Sequence, residues 1–222
     1  MALHYYVIDT ETTGLKSGHH EMTEIGIIRC TDRYQLHRKT RCEYPERANF
    51  DALKITGKTM ADLAYGDVRK DVVRLSNEFF AQDGQQPAGR CIVAHNAAFD
   101  RKFLHALWES VEEEFPATLW LDTIALTGEF VKKSDISTLN VTKTATGRVS
   151  KNLHAACDLV GVKKLSEAHN AKVDSRNTYL LWKKLMDDGI DYLPHIKTFP
   201  HSIATQASVD DLLATLEDIG NE

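Results

Sequence analysis

Apolar residues recur along this chain in two patterns, and the patterns divide it into elements. Short continuous apolar runs bounded by polar or glycine-containing turns predict strands over 3–8, 24–30, 90–95 and 119–122, with a further strand within 34–43. Gly14 and the Lys16-Ser17-Gly18 cluster mark the turn between the first two. Helical spacing governs 71–80, where Val72, Leu75 and Phe79 share a face, and again 99–108 and 173–186. The last of these draws apolar weight from Leu180, Leu181, Trp182 and Leu185. The stretch 137–160 reads as mainly helical around a loop at Thr146 and Gly147, and 209–216 as a short acidic amphipathic helix. Strands that first follow one another closely and then alternate with helices predict an α/β chain: a mixed central sheet, antiparallel on one side, with helices on its faces.

Size and composition narrow this picture. A chain of 222 residues, 42% apolar and 27% charged, fits one large α/β domain better than two small ones. No apolar run approaches the roughly 20 residues needed to span a bilayer. The N-terminus has no basic region followed by a long apolar core, so it does not read as a signal peptide, and a cytoplasmic location is expected. The four cysteines (Cys30, Cys42, Cys91 and Cys157) show no C-x-x-C spacing, which argues against structural zinc and for reduced thiols. The formal charge of -5 is unevenly spread: 187–222 holds eight acids and one base, leaving the rest of the chain slightly basic. A nucleic-acid partner for residues 1–186 therefore stays open, whereas the acidic tail is a poor candidate for touching one.

Three places break the apolar logic. Asp9 and Glu11 end a strand that is otherwise apolar, and residues two apart on a strand share a face. Like charges held together repel and raise each other's pKa, so a positive partner is called for. Asp100 follows the strand 90–95 at the start of a helix, and His169 and Asp174 flank the start of another. Each of the latter has a plain alternative, since an acid near a helix start can serve as a cap or a charge for the helix dipole. Strand-end carboxylates gathered over a sheet make a site for a hard, oxygen-seeking cation such as magnesium.

Together these elements resemble the DnaQ-like (DEDDh) 3′–5′ exonucleases of the ribonuclease H-like superfamily. The resemblance rests on Asp9-x-Glu11-Thr12-Thr13-Gly14, on Asn96-x-x-Phe99-Asp100 and on His169 five residues before Asp174, in that order. It is strengthened by the flanks Thr23-Glu24-Ile25-Gly26 and Leu121-Asp122-Thr123 and covers about residues 3–186. The tyrosine branch of these enzymes would carry Tyr where Asn170 stands, so His169 assigns the chain to the histidine branch.

The resemblance implies a ribonuclease H-like exonuclease fold over 1–186; the acidic extension 187–222 lies outside it and is expected to pack on the same domain, a docking element for a partner being the alternative. It implies two Mg2+ ions, for which Mn2+ can substitute. Asp9, Glu11 and Asp174 hold the first, Asp9 bridges to the second, Asp100 holds that one largely through water, and His169 is the general base. Phosphodiester hydrolysis needs a nucleophile at neutral pH and charge relief on the phosphate, which paired cations about 3.5–4 Å apart can supply. Thr12, Thr13, Leu15, Asn96 and Phe99 are the candidate substrate contacts, although Thr12 and Thr13 can equally build a tight turn and Phe99 reads as core. Lys132, Lys133, Lys143, Arg148 and Lys151 form a basic stretch that either tracks phosphates or faces solvent. The expected partner is nucleic acid with a free 3′ end, preferentially single-stranded. DNA is favoured by the Glu-Thr-Thr-Gly stretch, exoribonuclease activity is the alternative, and an inactive binding module is the rival from another class. A polymerase or another processing partner stays open, and no membrane contact is expected.

Overall fold

The computed structural model describes residues 3–135, 137, 139–165 and 169–201, so the helix expected over 209–216 lies outside the described residues. Six strands form one sheet in the order β3-β2-β1-β4-β5-β6. They are β1 (His4–Thr12), β2 (Met22–Arg29), β3 (Gln35–Lys39), β4 (Arg90–Ala94), β5 (Leu119–Asp122) and β6 (Lys197–Thr198). β2 pairs antiparallel with β1 and with β3, while β4 runs parallel to both β1 and β5. β6 closes the far edge antiparallel to β5. The helices are α1 (Phe50–Thr56), α2 (Arg69–Ala81), α3 (Ala97–Glu109), α4 (Thr123–Lys133), α5 (Leu153–Val160) and α6 (Ala171–Asp187).

The period-2 alternation of β1 explains why its sequence is apolar without a break. Tyr6 and Ile8 enter the core shared with α2 and α3, whereas Val7 points to the opposite core, where Leu181, Trp182 and Leu185 of α6 pack. A central strand covered on both faces has no solvent side on which to place polar residues. Asp9 and Glu11 continue the Val7 face, and so lie towards α6.

One polar knot ties the buried end of the sheet. Arg90, the first residue of β4, reaches Asp83 at 2.7 Å with both side chains almost fully buried. Its remaining donors go to the carbonyls of Phe80, Gln85 and Pro116, and Asp83 also accepts from the Tyr6 hydroxyl. Burial alone would raise the Asp83 carboxyl, but the bonds from Arg90, Gln85 and Tyr6 outweigh it and hold the group near about 2.

One expectation needs correction. Among the described residues of 137–160, only α5 forms an α-helix; within 139–152 the chain makes an exposed turn in which Lys143 bridges to Val149. Within it Gly147 adopts φ 78, a left-handed conformation that glycine takes at no steric cost. The helices α1 and α4 were not foreseen. All four cysteines are free. No described helix is long and apolar enough to cross a membrane.

Candidate active site

The acids reach one place because three backbone devices aim them there. Asp9 pairs in register with Gly26 and Glu11 with Glu24, and the ladder slips between Glu11 and Thr12 as the strand leaves the sheet. After β4 the chain turns through Asn96, which takes the left-handed conformation at φ 68, and enters α3 at once. Asn tolerates that region better than most residues. Asp122 fixes the turn: its carboxylate accepts from the amides of Asn96 and Ala97 and also caps α4 through Ile124 N. The third device is the start of α6. His169 is left-handed at φ 60, Asn170 caps the helix through Lys172 N and Val173 N, and Asp174 accepts from His169 N at 2.8 Å.

Asp100 is not a cap. One turn into α3, its Oδ1 accepts from both Thr10 N (2.9 Å) and Thr10 Oγ1 (2.8 Å), fastening the helix to the functional end of β1. Asp9, Glu11, Asp100, His169 and Asp174 consequently line a single cavity of about 750 Å³.

The electrostatics of this cavity are those of a site awaiting positive charge. Asp9 is pushed well above the usual carboxylate range, first by burial and then by Asp100, Glu11, Asp174 and Glu24. Glu11 rises to about 8 through burial and its acidic neighbours, against the pull of Lys58. Burial raises Asp100 to about 7, although the Thr10 hydrogen bonds oppose the shift. Glu24 is different: burial would raise it, but His37 and Lys58 outweigh that and bring it to about 2, so it is ionised and already paired.

The donor set fits hard divalent cations. Glu11, His169 and Asp174 each offer a ligand atom, and these atoms lie within 4.8 Å of one another. Asp9 and Asp100 line the same cavity, making the set rich in carboxylate oxygen, as magnesium and manganese prefer.

The candidate substrate residues separate by what their side chains already do. Thr12 donates its hydroxyl to the Gly14 carbonyl, and Thr13 Oγ1 accepts from Glu21 N, so both hydroxyls serve the turn. Leu15 at its tip is 84% exposed. Asn96 is exposed and its side chain caps nothing. Phe99, read as core from the sequence, is instead half-buried: it lines the cavity and packs on Phe103 with ring centroids 5.0 Å apart. Of the basic stretch, Lys151 lines the cavity, while Lys132 pairs with Glu129.

Sequence reasoning missed two imidazoles. His95 joins Thr123 Oγ1 to the Lys151 carbonyl, both at 2.8 Å, and so pins the approach to α5 against the end of β4. His154 lines the cavity with Nε2 3.7 Å from Asp174 Oδ1. The signal for its placement was Asn152, whose side chain caps α5 and sets His154 in the first turn.

A mixed sheet with its acids collected at the end of the first strand and on the helices beside it defines the ribonuclease H-like exonuclease fold. The chain belongs to the Exonuclease family, whose profile matches residues 6–182. Among solved structures it is similar to E. coli exonuclease I in complex with a dT13 oligonucleotide. That match has a TM-score of 0.66 and 16% identity, and covers 83% of this chain and 41% of that one. Exonuclease I from Methylocaldum szegediense matches with a TM-score of 0.65 and 19% identity over 85% of this chain and 41% of that one. The nuclease domain of 3′hExo, a DEDDh family member bound to rAMP, matches with a TM-score of 0.64 and 15% identity over 90% and 97%. The chain thus spans about two fifths of the exonuclease I chains and nearly all of the 3′hExo domain. No curated protein sequence matches it significantly.

Proposed function

We propose that this chain is a divalent-cation-dependent 3′–5′ exonuclease that removes nucleoside 5′-monophosphates one at a time from single-stranded nucleic acid, DNA in preference to RNA. The observation that carries the reading is the convergence of Asp9, Glu11, Asp100, His169 and Asp174 on one cavity. Asp9, Glu11 and Asp174 would hold one cation, and Asp100 together with Asp9 would hold a second. Mg2+ is the working ion, with Mn2+ able to replace it. Bound there, the ions supply a nucleophile at neutral pH and relieve charge on the phosphate.

The protein's own residues do the rest. His169 is exposed at the cavity mouth and its backbone is tethered to Asp174, so its imidazole can take the proton from the attacking water. Phe99, Asn96 and Leu15 contact the terminal nucleotide, and the turn built by Thr12 and Thr13 presents its backbone to the same nucleotide. Asp100, through Thr10, keeps the two acid-bearing elements in fixed relation. The catalytic domain in this reading is 1–186, with 187–222 an extension of the same domain; β6 at the sheet edge supports this for the part up to residue 201.

Support for a DNA strand comes from the likeness to an exonuclease I held with dT13. A second reading, trimming of RNA 3′ ends, is favoured by the likeness to a 3′-exonuclease that recognises histone mRNA stem-loops. The test is incubation of 5′-labelled single- and double-stranded DNA and RNA with Mg2+ or Mn2+. The expected result is a ladder shrinking from the 3′ end of single-stranded DNA, abolished by chelator. Internal cleavage, or intact termini with manganese present, would overturn the proposal.

A further inference from the structure

Beside the catalytic cavity, on the far side of the Asn96 turn, lies a second cleft of about 270 Å³ between α3, β5, the start of α4 and the chain around β6. We propose that this cleft seats a nucleotide of the substrate strand upstream of the 3′-terminal one; the inference rests on the exonuclease reading and extends it.

Its walls are largely apolar, with Ala97 and Ala98 of α3, Ala125 of α4 and Trp120 of β5 among the lining residues. Its rim carries two cations, Arg101 and Lys197. The Arg101 guanidinium lies 3.4 Å over the Phe199 ring, so a planar cation is held stacked at the edge of the cleft. An apolar slot with a stacked guanidinium and a lysine at the rim suits a base with its phosphate, since bases stack on aromatic and guanidinium planes without regard to sequence.

The carboxylate of Asp122, the one acid on the cleft wall, accepts from the amides of Asn96, Ala97 and Ile124, so its charge is already met.

Continuity with the catalytic site selects a polynucleotide over a peptide as the occupant. Ile124 lines both cavities, and one turn, held by Asp122, separates them. A strand whose 3′ end lies among the acids therefore meets this cleft as a neighbouring subsite. The acidity of 187–222 does not oppose this, because the part that forms the cleft wall, 189–201, holds one acid, Asp191, against Lys197.

The experiment compares kcat/KM for a 12-nucleotide single strand with that for the p-nitrophenyl ester of thymidine 5′-monophosphate, which offers a terminal nucleotide and none upstream, in the full chain and in the double variant Arg101→Ala, Lys197→Ala. The ratio of the two constants should fall by about tenfold in the variant, as expected for losing one stacked base. The salt dependence of kcat/KM for the 12-mer should become shallower by about 0.7 in log–log slope per lost phosphate contact. An unchanged ratio, including one in which both substrates lose rate in proportion, overturns the subsite while leaving the exonuclease reading intact. Hydrolysis of neither substrate by the unaltered protein overturns both.

Discussion

Gly26 lies directly beneath the carbonyl of Ala171: a Cβ on the glycine would come within 2.2 Å of that oxygen. Because Gly26 is also the register partner of Asp9, its missing side chain lets the first turn of α6 settle against the sheet beside the strand that carries Asp9 and Glu11. Close approach, rather than an unusual backbone angle, is what the position demands. Gly26→Ala should lift the start of α6, costing about 1–3 kcal/mol of stability as overpacking does. Displacing His169 and Asp174 by even 1 Å should lower kcat on the order of 10²-fold. Thermal melts and single-turnover rates on the same variant check both; a stable variant of full activity would deny the glycine this role.

Removing the acids separates ligands from base. Asp9→Ala or Asp174→Ala should abolish turnover, while His169→Ala should lose about 10²–10⁴-fold, the usual worth of a general base. Near-normal rates for the His169 variant at neutral pH would remove it from that role, and His154 would be the imidazole to test next.

Proton balance gives a prediction about cations. Glu11 rises from an ordinary value near 4.5 to about 8, so between those values the folded, cation-free protein holds a proton that the unfolded chain has released. Stability of the cation-free protein should therefore decline as pH rises across that window. Cation binding must expel the proton, so added Mn2+ should raise Tm more at pH 8 than at pH 6, and a pH indicator should record proton release below pH 8. Equal stabilisation at both values with no release would contradict this account of the cluster.

Far from the site, the Arg90–Asp83 pair gives the opposite sign. The Asp83 carboxyl is held near about 2, so its contribution to stability is complete above its ordinary value of roughly 4 and is lost as pH falls towards 2. Arg90→Leu strands a buried carboxylate and should cost about 3–5 kcal/mol. Acid denaturation profiles of the two proteins measure it.

Much of this arrangement was legible in the chain because the strands buried on both faces had to be apolar, so Asp9 and Glu11 stood out against β1. The unread parts have local causes. α1 presents Phe50 and Ile55 to solvent, at 78% and 59% exposed, so it offers no apolar stripe; only Asn49 before it and the left-handed Gly57 after it signal a helix. α4 starts on the residue after β5, and Asp122 ends one element while capping the next. The same Asp122 holds the Asn96 turn, a contact 26 residues long that no local pattern could announce. Phe99 was misread because a phenylalanine on a helix beside the core has the same spacing whether it faces the core or a cavity.

The central claim is that the four carboxylates share paired cations. Anomalous scattering from crystals grown with Mn2+ and a nucleoside 5′-monophosphate measures this directly. Two manganese peaks about 3.5–4 Å apart, bounded by Asp9, Glu11, Asp100 and Asp174, are the predicted result. An absence of manganese from this cavity, or its binding elsewhere on the chain, would contradict the account.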